Sequence, residues 1–180
     1  MYKAVSAEEA VKIIKSDNRV YIQAAAAAPQ ELINALSDRH EELKNVEICH
    51  LHTEGDAPYA NPKYRDSFHV NSLFIGKNVR HTLKEGNGSY TPVFLSEVPL
   101  LFKRNILPVD VALIQVSIPD KHGYCSLGVS VEATLAAIDN AKHVIALINH
   151  QMPRVHGEGI IHISELDTFV EVNRPILELI

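Results

Sequence analysis

Two histidines and two acids crowd one short stretch of the chain: His50, His52, Glu54 and Asp56. Residues two apart on a β-strand point to the same side. His50 and His52 therefore read as a pair that could share a metal ion with a nearby carboxylate. No third ligand stands at a metal-motif spacing, and the rest of the ten histidines are scattered. Glu54 suggests a second chemistry, since a carboxylate can attack an acyl carbon and form a covalent intermediate. Most loop acids are simply solvated, and that reading stands beside the other two. Gly-x-Ser-x-Gly, P-loop and Gly-x-Gly-x-x-Gly patterns are absent, which removes the common hydrolase elbow and nucleotide loops.

Three other stretches follow strongly apolar runs and are rich in small or polar residues: 24–30, 117–128 and 149–157. In open α/β sheets, ligands bind beyond the carboxyl ends of strands, where such loops lie. The alanines of 24–28 lead into a helix start, so backbone N–H groups can come close to a ligand; tight packing under the helix accounts for them more simply. In the second loop Asp120 is a turn residue, Gly123 can take positive φ, and Ser117, Ser126 and Gly128 leave the backbone accessible. An ordinary turn between strands fits the same residues. Asn149 ends a buried strand and is either a ligand contact or a turn cap.

Those loops need elements to hold them. Ser6, with Glu9 three residues on, has the form of a capping box, and Ala7, Ala10, Val11 and Ile14 follow at helical spacing. Residues 19–23 (RVYIQ) read as a strand. Pro29 suits the first turn of a helix, and Leu32, Ile33 and Leu36 give it a buried stripe. Another strand follows at 46–51. Strand–loop–helix–strand is the βαβ pattern, so the fold class is α/β, a largely parallel sheet covered by helices. Residues 52–66 read as loop, 85–89 as a turn and 96–104 as a short helix beginning near Pro99. The run 110–116 (DVALIQV) predicts a strand buried on both faces. A short strand at 124–129 follows. Ser130 is placed to cap a helix reaching about Ala141, with Val131, Leu135 and Ile138 on one side. Strands at 143–148 and, more weakly, 168–172 complete the pattern. No linker interrupts it, so 1–180 reads as a single domain.

At 180 residues the chain can bury a full core. A net charge of −5 argues against nucleic-acid binding, which needs a basic surface. It leaves room for an anionic small ligand held by backbone amides and a few cations. Cys49 and Cys125 stand far apart in apolar surroundings and read as buried free thiols, as expected in a reducing, cytoplasmic setting. No signal peptide is visible, and no apolar run reaches the ~18 residues of a membrane span.

Several segments resemble the acetyl-CoA hydrolase/transferase family of 4-hydroxybutyrate and butyryl-CoA:acetate CoA-transferases. They are LHTEGDAPYANPKY (51–64), LFIGKNVR (73–80), YTPVFLSEVPLLF (90–102), DVALIQVSIPDKHGYCSLGVSVEATLAAI (110–138) and NHQMPRVHGEG (149–159). The irregular SIPDKHGYCSLG and NHQMPR segments are the most specific, and the likeness runs along essentially the whole chain.

The resemblance implies two similar α/β halves with the active site between them. It implies acyl-CoA and a short carboxylic acid such as 4-hydroxybutyrate or acetate as substrates, with no permanently bound cofactor. A glutamate would attack the thioester to give an acyl-glutamyl anhydride, and CoA thiolate would return to give a glutamyl-CoA thioester. That glutamate belongs to the second half of the family, near a His-Thr-Glu segment. His52-Thr53-Glu54 then looks like the first-half counterpart of that segment, and no catalytic residue is assigned in this chain. What carries over is one wall of a substrate and CoA cleft. Ala25, Ala26, Ala27, Pro29 and Gln30 come from the first loop. Ser117, Asp120, His122, Gly123, Ser126 and Gly128 come from the second, and Asn149, Met152 and Pro153 from the third.

The partners expected on this basis are the C-terminal half and a second copy of the chain, because a half-enzyme would expose the face its other half covers. One departure from the family stands out: its first loop is often glycine- and serine-containing, whereas here it is five alanines, which resist positive φ. The alternative function is a non-catalytic CoA- or carboxylate-binding or interaction module of the same fold.

Overall fold

The computed structural model describes residues 2–178. Helix α1 (Ala7–Ala10) is a single turn, prolonged by a 3₁₀ turn through Ile13. Ser6 accepts the Glu9 N–H at 3.2 Å, but the Glu9 carboxylate turns outward to Lys12, so only half of the capping box forms. Strand β1 (Arg19–Ile22) runs into the alanine loop, and α2 (Gln30–Asp38) follows. Pro29 sits one position earlier than expected, at the cap of α2. After β2 (Val46–His50) come β3 (Phe68–Ser72), α3 (Thr82–Glu85) and β4 (Gly88–Tyr90). Helix α4 (Val98–Lys103) carries its proline in the first turn and leads to β5 (Val109–Val116). The chain closes with β6 (Tyr124–Ser126), α5 (Thr134–Asn140), β7 (Ala141–Asn149), β8 (Ile160–His162) and β9 (Thr168–Val172).

Seven strands form one parallel sheet in the order β4-β3-β2-β1-β5-β7-β9. The order runs outward one way from β1 to β4, then crosses back to β5 on the other side of β1. Strands β1 and β5 are therefore the switch point, the place where open α/β sheets commonly bind ligands. Side chains alternate between the two faces. Val20, Ile22, Leu113 and Leu147 join α1 and α2 in one core, while Tyr21, Ala112, Ile114 and Ile148 join α4 and α5 in the other.

Strands β3 and β8 and helix α3 form where the sequence predicts no element, and other segments differ from expectation. Strand β6 does not enter the main sheet but pairs antiparallel with β8. The helix after Ser130 begins only at Thr134: Glu132 takes φ 24°, which breaks the helical path, and the Ser130 hydroxyl goes to that carboxylate instead of capping. Residues 85–89 do more than turn. Gly86, at φ 81°, ends α3, and the chain then enters β4.

Leu113 is fully buried in the middle of the sheet. Leu113→Ala is expected to cost roughly 2–5 kcal/mol, seen as a lower urea midpoint at an unchanged slope.

Candidate functional site

Three buried amides lie at the carboxyl ends of the three central strands. Gln23 stands one residue past β1, Gln115 near the end of β5, and Asn149 at the end of β7; all three are fully buried. The Gln23 side-chain oxygen accepts the Gln115 backbone N–H at 2.6 Å, so it extends the sheet's hydrogen bonding beyond β1. Its Nε2 donates to the carbonyls of Ser130 (2.7 Å) and Leu127 (3.2 Å). Gln115 Nε2 donates to the carbonyls of Ala27 and Ala28 at 3.2 and 3.4 Å, and its oxygen accepts Asn149 Nδ2 at 2.9 Å. Asn149 in turn donates to the Arg174 carbonyl at 2.9 Å and accepts from the Gln151 and Arg174 N–H groups at 3.1 and 3.3 Å. Arg174 then forks onto Glu31 at the start of α2. One ladder of amides thus fastens each of the three loops, and the tail after β9, to the sheet.

The alanine loop is wound tightly above this ladder. Ala25 sits at φ 54°, in the left-handed region that a β-carbon disfavours. Its N–H donates to the His52 carbonyl at 3.1 Å, and Ala25 forms a parallel bridge with Thr53. Ala27 and Ala28 donate back to Ala24 and Ala25 at 3.3 and 3.2 Å. Among the described residues, the Ala26 N–H finds no acceptor. Ala25 and Ala26 are half-buried, while Ala27 and Pro29 are buried. Gln30 donates to the Asp56 carbonyl at 2.8 Å, which brings the loop after β2 alongside.

The second and third loops are joined to each other. Ser117 exchanges hydrogen bonds with Ser126 across the turn: the Ser117 N–H meets the Ser126 carbonyl at 2.8 Å, and the Ser126 N–H meets the Ser117 hydroxyl at 2.9 Å. The Ser126 hydroxyl accepts the Gly128 and Val155 N–H groups, each at 3.1 Å. Gly128, at φ 65°, lies under Met152: a β-carbon there would stand 2.1 Å from the methionine sulfur. Gly123, at φ 86°, allows the turn beside His162. Asp120 accepts the N–H groups of Tyr124 and His122 and pairs with Arg154 at 2.9 Å. These N–H groups, Tyr124's first, and the Arg154 guanidinium hold its carboxyl below the usual range. His122 and Pro153 are exposed. Ser117, Ser126, Gly128 and Met152 are buried, so in this structure they join the two loops from within.

The histidine pair does not come together as a metal site. β2 ends at His50, so alternation does not carry on to His52. His50 is fully buried, 6.1 Å ring to ring from Tyr59, and neither of its nitrogens has a hydrogen-bond partner. Burial, and then His52, lower its pKa to about 4, so the ring stays neutral. His52 instead faces an apolar groove of about 270 Å³ with Leu51, Leu73, Phe74, Tyr90, Val93, Leu95 and Val98. No group of three metal-binding side chains occurs among the described residues. Glu54 lines a separate shallow pocket with Gly55, Lys77 and Asn78.

The loops that follow β5 and β7 carry the most specific of the resembling segments. The sequence matches the acetyl-CoA hydrolase/transferase N-terminal domain over residues 1–180. The chain belongs to this family. It is 45% identical over 98% of its length to the 4-hydroxybutyrate coenzyme A transferase of Clostridium kluyveri, and 42% identical to a succinyl-CoA:acetate/propanoyl-CoA:succinate CoA transferase of Fasciola hepatica. It spans 41% and 37% of those two relatives, well under half of each. Among solved structures, 98% of the chain superposes on 4-hydroxybutyrate CoA-transferase from Porphyromonas gingivalis, with TM-score 0.83, 38% identity and 41% of that chain covered. RipA from Yersinia pestis gives TM-score 0.91 at 30% identity over 44% of its chain. The fold is thus one half of a CoA-transferase architecture.

Within this acetyl-CoA hydrolase/transferase domain, the three loops named from sequence lie along the same ends of β1, β5 and β7. Gln23, Gln115 and Glu132 were not among the residues expected to matter. A signal for the first two exists: the buried runs VYIQ, DVALIQV and HVIALIN each place one amide near the carboxyl end of an otherwise apolar strand. An amide there is costly unless it is paired, so its presence points to something it must hold.

Gln115→Leu keeps the volume but leaves the Ala27 and Ala28 carbonyls and the Asn149 amide short of a partner. It is expected to destabilise the domain by about 2–3 kcal/mol, measured by urea unfolding. His50 gives a pH test. Its folded pKa of about 4 lies below the ordinary 6.5, so the unfolded state takes the proton first and stability falls as pH drops from about 6.5 towards 4. Between pH 7 and 5 the wild type should lose about 2 kcal/mol more than His50→Leu.

Proposed function

We propose that this chain is the N-terminal wall of the active-site cleft in a coenzyme A transferase. The enzyme moves CoA from an acyl-CoA to a short carboxylic acid, and the nucleophilic glutamate comes from outside this chain. The observation that carries the reading is the clamped set of loops at the β1–β5 switch point. It offers the Ala26 backbone N–H, without an acceptor among the described residues, beside a half-buried, small-residue surface. The names of the relatives support the chemistry, and their greater length supports a second half.

In this reading a carboxylate adds to the thioester carbonyl, and CoA leaves as thiolate, giving an acyl-glutamyl anhydride. The thiolate then adds to the glutamyl carbonyl and expels the free acid, leaving a glutamyl-CoA thioester. The incoming acid runs the two steps in reverse. Each addition places negative charge on a carbonyl oxygen, and fixed N–H donors stabilise such an oxygen without having to reorganise. The Ala26 N–H is suited to that role because the loop around it is already held. The second and third loops, with Ser117, Asp120, His122, Gly123, Ser126, Gly128, Asn149, Met152 and Pro153, form the wall against which acyl-CoA lies. Phe74, Phe94 and Leu95, 61%, 79% and 64% exposed, belong to the surface that the rest of a full-length relative, or a second copy, would cover.

The complete protein carrying this domain is expected to exchange labelled acetate into acetyl-CoA or butyryl-CoA, and the 180-residue chain alone is expected to show none. Failure of the complete protein with a panel of short acids overturns the transferase reading. Turnover by the isolated chain overturns the external nucleophile, and its loss in Glu54→Gln would assign that role to Glu54.

A further inference from the structure

The Glu132 carboxylate gathers an unusual set of donors. It accepts the Tyr21 hydroxyl at 3.0 Å, the Thr134 hydroxyl at 2.9 Å, the Ser130 hydroxyl at 3.2 Å and the Ala133 N–H. Its fifth donor is the Ala24 N–H, at 3.4 Å. The Tyr21 and Thr134 oxygens also lie 2.9 Å apart, so the two hydroxyls sit side by side against the carboxylate, one on each of its oxygens. Burial, and then Glu132 itself, push the Tyr21 phenol well above its ordinary pKa, which keeps it protonated and donating. Its ring is held edge-on to Phe102, with centroids 5.4 Å apart. Glu132 stands at φ 24°, so the backbone is bent to deliver the side chain here.

The target of this arrangement is the near end of the alanine loop. Gln115 grips the far end through the Ala27 and Ala28 carbonyls. At the near end the Ala24 N–H has no other acceptor among the described residues, and left-handed Ala25 follows at once. Two residues past the Glu132 contact stands the free Ala26 N–H. A change of an ångström in Ala24 would re-aim it.

We propose that Glu132 is a positioning residue. Its carboxylate sets the Ala24–Ala28 loop so that the Ala26 N–H meets the reacting carbonyl, an inference that rests on the reading of that loop as cleft wall. Glu132 touches neither substrate nor reacting atom in this role; it acts through Ala24. Ser130 and Thr134 tie the same carboxylate to the segment after the second loop, so one side chain coordinates two of the cleft loops.

The test uses the complete protein and two independent readouts. In Glu132→Gln, amide exchange over residues 24–28 is expected to speed up by about tenfold or more, with the rest of the sheet unchanged. In the same variant kcat should fall roughly 10- to 100-fold while KM for acyl-CoA stays within about threefold. Glu132→Asp should recover part of kcat. If wild type transfers no CoA, the cleft reading fails on its own, and the exchange measurement still shows whether Glu132 holds the loop. Unchanged exchange at 24–28 overturns the proposal. So does faster exchange with unchanged kcat, or a rise in KM alone, because those outcomes describe only a structural tie. If Glu132→Gln does not fold, Thr134→Val removes one donor and keeps the charge. It should shift both readouts in the same direction by a smaller factor, and no shift in either overturns the proposal.

Discussion

The ladder Gln23–Gln115–Asn149 is the constraint on which the three loops at the carboxyl ends of the strands depend. A side-chain amide taken out of water without partners costs about 1–3 kcal/mol per unsatisfied group. Here the polar atoms of all three amides find partners in the sheet, the loops or one another. The requirement works in both directions: the amides stay buried only if the loops are in place, and the loops hold their shape only if the amides are buried. A paired network of this kind favours one arrangement over slightly shifted ones. That is what lets short loops of alanine, serine and glycine hold a defined shape although they carry little side-chain bulk of their own.

Much of the fold was legible because the central strands are nearly all apolar. The short, β-branched apolar runs ending β1, β5 and β7 read as buried strands, and the helix between β1 and β2 makes the sheet parallel. β3 was less legible. Its sequence, FHVNS, alternates apolar and polar residues over only five positions, and its polar members are satisfied across the sheet: His69 meets Ser89 at 3.0 Å, and Asn71 donates to Glu47 at 2.8 Å. Those partners lie on other strands, beyond the reach of local pattern. Ser130 misled for a related reason. A serine before an apolar periodic run has the form of a cap, but a carboxylate two residues on competes for the hydroxyl and wins.

The small residues of the site teach a similar lesson. Ser117, Ser126 and Gly128 suggest a backbone laid open to a ligand. In the structure their size serves the join between two loops, with Gly128 making room for Met152 and Ser126 bonding across to Val155. The alanine loop goes the other way. Alanine argues against a left-handed residue, yet Ala25 adopts one because its N–H is drawn to the His52 carbonyl while the next turn closes back on it. The conformation familiar from glycine is imposed by the surroundings, at the expense of some local strain.

Both cysteines lie inside the protein, one in each kind of sheet. Cys49 sits on β2 within the parallel sheet, and Cys125 on β6 in the small antiparallel pair with β8. Burial pushes their thiols up to about 12 and about 11, so neither reacts readily while the fold is closed. Each thiol is thus a silent clock for its own neighbourhood. A two-stranded ribbon held at its edge opens more readily than the interior of a seven-stranded sheet. A thiol reagent would therefore mark the breathing of the loop after β5 at Cys125 well before it recorded any loosening of the core at Cys49.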